Sequence, residues 1–320
     1  MRVLIAGAGG VIGLALTERL VADGHTVIGL TRSPDRGRAI RAAGGETILC
    51  DVLLERQAAE AVAKAKPDAI IHELSNLPPA LDPKRLSAQL APTNRLRREG
   101  TRNLIAAART IGVQRLLAQS IAFAYAPAGD WVKSESEPLA LDAPPPQDEV
   151  VSAVCDLERQ VLDASGIVLR YGNLYGANTY FGARGAYAQL AAKRQLPIVG
   201  AAEGRWSFVH TRDAADATAL ALEHGEPGIY NVVDDDPAPS HEWIPVFAQA
   251  LGAKRPLKVP AAIGSRLLGS FAFDTMTRQR GASNAKARAQ LHWTPGFTSW
   301  REGFAAAIAA ENRERWRFAR

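Results

Sequence analysis

The sequence carries two cysteines, two methionines and six histidines among 320 residues. Cys50 and Cys155 lie far apart, and neither stands in a metal-ligand or redox spacing. They read as small buried hydrophobes in a reducing compartment, and no metal site is expected. No apolar run approaches the length needed to span a bilayer. No leader is expected either, because Met1-Arg2 runs directly into a strand pattern, so the expected setting is cytoplasmic. Lys+Arg 38 exceed Asp+Glu 33, yet many of the arginines (Arg32, Arg36, Arg38, Arg41, Arg95, Arg97, Arg98, Arg102) are scattered and form no stripe. That spacing suits anionic small molecules better than nucleic acid, so neither nucleic acid nor membrane is an expected partner. Internal repeats are absent. With a 47% hydrophobic and 22% charged composition, the length is enough for a full core in one large domain or one and a half.

Residues 3–13, Val-Leu-Ile-Ala-Gly-Ala-Gly-Gly-Val-Ile-Gly, form a buried-strand pattern that enters a glycine-rich turn, and Leu14–Val21 continues as a helix. This layout places a pyrophosphate on a helix N-terminus. Gly7 permits the tight turn, Gly10 the close approach of backbone to phosphate, and Gly13 close helix–strand contact. Gly9, Val11 and Ile12 complete the expected phosphate cradle.

Strand and helix patterns then alternate through two-thirds of the chain, which predicts an α/β fold: a Rossmann-type doubly wound parallel sheet with a smaller C-terminal α/β substrate lobe. Strands are expected at Val3–Ala6, Thr26–Thr31, Glu46–Cys50, Ala69–His72, Arg115–Gln119 and Gly166–Arg170. Amphipathic helices are expected at Gln57–Ala65 and Gly100–Ile111. Two long loops follow strand ends, where open α/β sheets bind ligands. Asn76–Asn94 contains Pro78, Pro79, Pro83 and Pro92, and Ala126–Gln147 contains Pro144-Pro145-Pro146. Both read as lids. Further on, Gly182–Arg194, His241–Leu251 and Trp300–Asn312 read as helices, and Trp206–His210 and Gly228–Val233 as strands. The expected division is a dinucleotide-binding domain over 1–172, rejoined by 205–225, with a substrate lobe over 173–204 and 226–320.

In such folds the residue ending the second strand selects the cofactor. A carboxylate there bonds a ribose 2′-hydroxyl, and an arginine accommodates a 2′-phosphate. Here the strand ends in Thr31-Arg32-Ser33, with no carboxylate before Asp35. Arg32 offers a planar fork and Ser33 a hydroxyl, so NADP is favoured, with NAD as the alternative. Asp51 and Val52 follow the third strand, where the adenine is commonly held.

Six landmarks follow in order: Gly7-x-x-Gly10-x-x-Gly13, Asp51, Gly100-Thr101-Arg102-Asn103-Leu104, Leu169 to Gly176, Phe208 to Asp213, and Ala285-Lys286 with Leu291 to Pro295. On these the chain resembles the extended short-chain dehydrogenase/reductase family, in its nucleotide-sugar epimerase/dehydratase group. The resemblance implies a nicotinamide dinucleotide held also by Leu74, Ser75, Ser120 and Tyr171, and a homodimer through the helices after the fourth and fifth strands. It also implies a Tyr-x-x-x-Lys pair whose lysine lowers the phenol pKa and orients the nicotinamide ribose. Counting back from Glu158, the chain has Val150 and Val154 at those two positions, and Tyr-x-x-x-Lys occurs nowhere in it. Ile121 stands where the family's catalytic serine belongs, and Arg97 where its asparagine three residues before Gly100 belongs.

Loss of a general acid costs roughly 10²–10⁴ in rate, so ordinary ketone reduction should suffer. Either another group donates the proton or the reaction needs none. Ser120, Tyr125, Tyr171 and Asn173 are the candidate replacements, with Tyr175 behind them. His210, Asp213 and Arg170 read as structural ties. The leading expectation is an NAD(P)H-dependent oxidoreductase acting on a small, fairly apolar substrate. Hydride addition to an activated alkene or iminium would tolerate the valines, because no alkoxide forms. The alternatives are a non-redox isomerase or cyclase, a regulatory dinucleotide-binding protein, and, less favoured, a nucleotide-sugar epimerase or dehydratase.

Overall fold

The computed structural model describes residues 1–318. Its first half contains the strands β1 (Arg2–Ala6), β2 (Thr26–Thr31), β3 (Glu46–Leu49), β4 (Ala69–His72), β5 (Arg115–Ile121), the short β6 (Val132–Lys133) and β7 (Ile167–Tyr171). Four short strands follow, β8 (Asn173–Tyr175), β9 (Ile198–Val199), β10 (Arg205–Trp206) and β11 (Phe208–His210), then β12 (Gly228–Val232) and the two-residue strands β13 (Ala238–Pro239), β14 (Lys258–Val259) and β15 (Gly281–Ala282). The main sheet has seven parallel strands in the order β12-β7-β5-β4-β1-β2-β3. The order reverses between β1 and β4, so a crevice opens beyond their carboxyl ends. The expected return of 205–225 to this domain therefore ends too early: β12 pairs with β7 and completes the sheet. Its run Gly-Ile-Tyr-Asn-Val has the apolar and β-branched character of a buried parallel strand.

Alternate residues of each strand feed two cores. Val3, Ile5 and Ile71 pack under α1 (Val11–Ala22) and, from α2 (Pro34–Ala42), Ile40. Leu4, Ala6 and Ile70 pack under α3 (Glu55–Ala65). After β4 the chain forms α4 (Leu86–Arg95), one π-helical turn (Leu96–Gly100) and α5 (Thr101–Thr110). The loop expected over Asn76–Asn94 is thus only partly a loop, since Pro92 is accommodated inside α4. The helix α6 (Gln147–Asp163) closes the second core with Leu157 and Val161. On the first face, α8 (Thr211–His224) lies along α1 and adds an alanine-rich stripe from Ala214 to Ala221.

The lid expected at Ala126–Gln147 is instead a pinned layer. β6 pairs with β15 (Gly281–Ala282), and Ala140 N donates to Ala124 O. The buried Lys133 donates to Ala128 O at 2.6 Å, and Arg280 stacks on Trp131. The smaller lobe holds α7 (Ala186–Ala192), α9 (Ser240–Ala250), α10 (Ala261–Arg278), α11 (Ala285–Gln290) and α12 (Trp300–Phe318). Of these, α10 and α11 were not expected from the sequence. Ser207 splits the expected strand Trp206–His210 into β10 and β11. An aromatic core of Phe181, Trp206, Phe208, Trp243, Phe247 and Phe304 fills this lobe.

Candidate active site

The glycine turn closes through Gly10 N donating to Gly7 O at 2.9 Å. Gly7 has φ +96, and a Cβ there would stand 2.3 Å from Glu73 O; one at Gly13 would stand 2.4 Å from Gly7 O. Both glycines are required by backbone packing. At Gly10 a Cβ would meet only Gly7 O, at 3.2 Å, so its outer side faces open space. Gly10 also caps α1 without any side-chain hydrogen bond. The first N–H groups of α1, at Val11 and Ile12, are thereby left to an anion, and the cradle fits a pyrophosphate.

Around this turn the structure brings together the other strand ends. Arg32 and Ser33 end β2, with Arg32 Nη1 3.7 Å from Asp51 Oδ2 beyond β3. Ser33 caps α2, accepting from Arg36 N, and the Arg36 side chain crosses Gly9, where a Cβ would stand 2.7 Å from Arg36 Cβ. Arg36 is exposed and was not among the expected cofactor residues. Its signal, one helical turn beyond Arg32, becomes visible only once α2 is placed. Asn103 on α5 donates to Val52 O at 2.8 Å and fixes the β3 end. Leu74 and Ser75 border the same crevice beyond β4.

The expected replacement acids do not join them. Ser120 is buried and donates to Glu158 Oε1 at 2.7 Å. Arg170 grips both oxygens of that carboxylate, at 2.8 and 2.6 Å, and also donates to the Tyr125 hydroxyl at 2.9 Å. Tyr125 in turn donates to Asn231 Oδ1 at 2.7 Å, across 106 residues of sequence. This closed network ties α6, β5, β7 and β12 together, and burial pushes the Tyr125 phenol up, away from an acid's range. Tyr171 lies on the opposite face under α8, with its hydroxyl on Glu73 Oε1 at 2.9 Å and Thr218 Oγ1 at 2.6 Å. Burial raises its phenol well above the ordinary value. Ser120 and Tyr171 are therefore enclosed and present no hydroxyl to a cofactor or substrate. Asn173 is half-buried and donates to Ser207 O. Tyr175 is wholly buried among His210, Phe297 and Phe304.

Two further groups are prominent in the structure. Glu73 is buried at the end of β4 with Oε2 unpartnered, and desolvation raises its carboxyl to about 8, so it is a neutral acid at pH 7. Its neighbour His72, also buried, is pulled down to about 4 and stays neutral, with Nδ1 accepting from Leu74 N. On the π-helical turn, Arg98 is held by Asp156, Glu149 and Ser152 of α6. Arg97 lies near His72 and Glu158, and among the described residues only Asn94 Oδ1 accepts from it, at 3.3 Å. On α6, Val150, Val154 and Glu158 share one stripe at helical spacing, and Val154 is fully buried. The smaller lobe meets this side where the Tyr180 hydroxyl donates to Pro78 O. It is tied to the sheet domain by Asp213, whose carboxylate accepts from Gly296 N and Phe297 N.

Known proteins resemble this arrangement along its whole length. The NAD dependent epimerase/dehydratase family model matches residues 3–232. The chain is 44% identical over 307 residues to 3-diazoavenalumate denitrifying reductase from a Streptomyces species, covering 95% of this chain and 99% of that one. UDP-glucose 4-epimerase of Thermotoga maritima superposes with a TM-score of 0.76 at 18% identity, covering 98% of this chain and 99% of that one. The Thermus thermophilus UDP-glucose 4-epimerase complex with NAD gives 0.75 at 22% identity, covering 97% and 98%. The match of the family model over the glycine turn and the seven-stranded sheet, with the close relative, establishes that the chain belongs to the NAD-dependent epimerase/dehydratase family.

Proposed function

We propose that this protein is an NADPH-dependent reductase that delivers hydride to a diazo-bearing, apolar organic acid and releases dinitrogen. The observation carrying this reading is that the hydroxyl groups expected as substitute acids are not free and that the neutral acid at the end of β4, Glu73, is itself buried. Val150 and Val154 occupy the α6 stripe, while Ser120, Tyr125 and Tyr171 are committed to buried hydrogen bonds. A site whose hydroxyl groups are held in buried hydrogen bonds suits an electrophile whose reduction consumes no proton. When bound, the reduced dinucleotide supplies a hydride ion. For the diazonium form of the substrate the balance is R–N2⁺ + H⁻ → R–H + N2, in which a C–H bond replaces the C–N bond and no proton enters or leaves. The similarity to a denitrifying reductase supports the same class of reaction. Ketone and sugar-alcohol chemistry, by contrast, must move a proton on oxygen.

Arg32, Ser33 and Arg36, at the end of β2 and the start of α2, support NADPH over NADH, since both guanidinium groups are exposed beside the adenosine end. Gly7, Gly9, Gly10, Val11, Ile12 and Gly13 hold the pyrophosphate in this reading, Asp51 and Val52 the adenine, and Leu74 and Ser75 the inner phosphate and ribose. The test supplies NADPH deuterated at C4 with an aryl diazonium carboxylate, a ketone panel and UDP-glucose, each against an enzyme-free control. Enzyme-dependent dinitrogen release matching NADPH oxidation, with deuterium on the product ring, is expected. Faster turnover of the ketones or of UDP-glucose would overturn the proposal.

A further inference from the structure

We infer that Arg97 is the anion-recognition residue of the substrate crevice and binds the carboxylate of an apolar, aromatic acid. The inference rests on the reductase reading for the use of that crevice, and it concerns a residue that reading does not use.

The two successive arginines of the π-helical turn differ sharply. Arg98 faces outward and is satisfied by two carboxylates and a serine hydroxyl on α6. Arg97 faces inward and has no carboxylate within ion-pairing distance among the described residues; its single acceptor is the neutral amide of Asn94. The nearby Glu158 is already occupied by Arg170 on both oxygens and by Ser120. The other ionisable neighbour, His72, is neutral. Glu158 is thus balanced by Arg170, and the guanidinium of Arg97 is an excess positive charge. Closely surrounded without a counter-ion, Arg97 is pulled down to about 10, as expected of a cation held away from water. It is nevertheless only half-buried, so the side chain is still reached from outside.

Position points to a substrate role. The turn stands beside His72 at the carboxyl end of β4, and one turn later Asn103 reaches the end of β3. Arg97 is therefore level with the crevice. The helix α6 packs against this turn, and along its stripe Val154 and Glu158 are buried while Val150, at the outer end, is half-buried and offers an apolar surface. A flat apolar body against Val150 with a carboxylate on the guanidinium fork satisfies both surfaces, and a planar bidentate pair is the strongest bond Arg97 can make. Proteins frequently place π-helical turns at functional sites, since the extra residue re-aims a side chain.

The test measures binding without turnover, so it stands or falls apart from the reductase chemistry. Protein saturated with NADP⁺ is titrated calorimetrically with cinnamate and with cinnamamide. Cinnamate should bind at least about tenfold tighter, and Arg97→Gln should abolish that preference while leaving the cinnamamide and NADP⁺ affinities within about twofold. Arg97→Lys, which keeps the charge but loses the fork, should retain part of the preference. Arg98→Gln should leave both ligands unchanged while lowering the melting temperature. Equal affinities of the acid and the amide for the wild type, no cinnamate binding at millimolar concentration, or loss of NADP⁺ instead of cinnamate in the Arg97 variants would each overturn the inference. Should Arg97→Gln fail to fold, the acid–amide comparison and Arg97→Lys decide it.

Discussion

A methyl group at Gly13 would stand 2.4 Å from the Gly7 carbonyl oxygen, whereas one at Gly10 would meet the same atom at 3.2 Å and then open space. The two glycines therefore fail differently. Gly13→Ala should lower stability by about 1–3 kcal/mol through overpacking of α1 against β1. Gly10→Ala should keep the melting temperature nearly unchanged and weaken dinucleotide binding. Thermal melts and fluorescence titration with NADPH separate the two. Arg32 belongs to the same scale. Exposed beside Asp51, it contributes little to the fold, so Arg32→Ala should weaken NADPH about tenfold or more and leave NADH unchanged. Equal losses for both cofactors would contradict its role at a 2′-phosphate.

Glu73 makes a different residue-scale prediction. Its carboxyl is raised from an ordinary 4.5 to about 8 by burial. Between those values the unfolded chain has released the proton and the folded chain has not. Stability should then fall as pH rises through this window, at up to about 1.4 kcal/mol per pH unit for one proton. Above pH 8 the penalty is complete, and below 4.5 it is absent. Glu73→Gln cannot titrate, so denaturation midpoints of variant and wild type should diverge in the variant's favour from about pH 5 to about pH 8. Parallel curves across that range would show Glu73 to be ionised in the fold.

At the scale of elements, α6 is fastened by charge as much as by apolar contact. Glu158 holds Arg170 and Ser120, and Arg98 reaches across from the π-helical turn to Asp156. Removing one member of a buried pair strands the other. Glu158→Ala should therefore cost about 3–5 kcal/mol, against about 1 kcal/mol or less for the more exposed Asp156→Ala. Chemical denaturation measures both. The segment between β5 and α6 illustrates a second point. Its proline cluster marks it as irregular, but β6–β15 pairing and the buried Lys133 hold it down. Composition locates an irregular segment and says nothing of whether distant residues clamp it.

Across the whole molecule, the sheet domain and the smaller lobe are joined by a few identifiable ties. Asp213 at the start of α8 accepts two backbone N–H bonds from Gly296 and Phe297, and Tyr180 reaches Pro78. Asp213→Ala leaves two N–H groups seeking acceptors, which should cost about 1–3 kcal/mol. Because those groups belong to the lobe facing the crevice, substrate KM should rise more than the NADPH dissociation constant. A variant that loses NADPH and substrate affinity equally would show that the tie supports the sheet domain as a whole.

The glycine turn, the alternation that builds β1 to β5 and β7, and the arginine after β2 were legible in the sequence because each is a local property. Glycine spacing, strand and helix periods and a residue's place at a strand end are set within a few neighbouring positions. The side chains chosen as substitute acids were not legible, because their partners come from far along the chain: Glu158 for Ser120, Asn231 for Tyr125, and Glu73 with Thr218 for Tyr171. A hydroxyl is a donor in any sequence, but burial and a distant partner decide whether its proton is available. The same reason explains why β12 in the main sheet and the inward turn of Arg97 emerged only from the fold. The sequence by itself determined a dinucleotide-binding sheet without the customary tyrosine and lysine. Tertiary structure alone decided that the replacement acids are spoken for, since only three-dimensional packing fixes which groups leave water and which face the crevice.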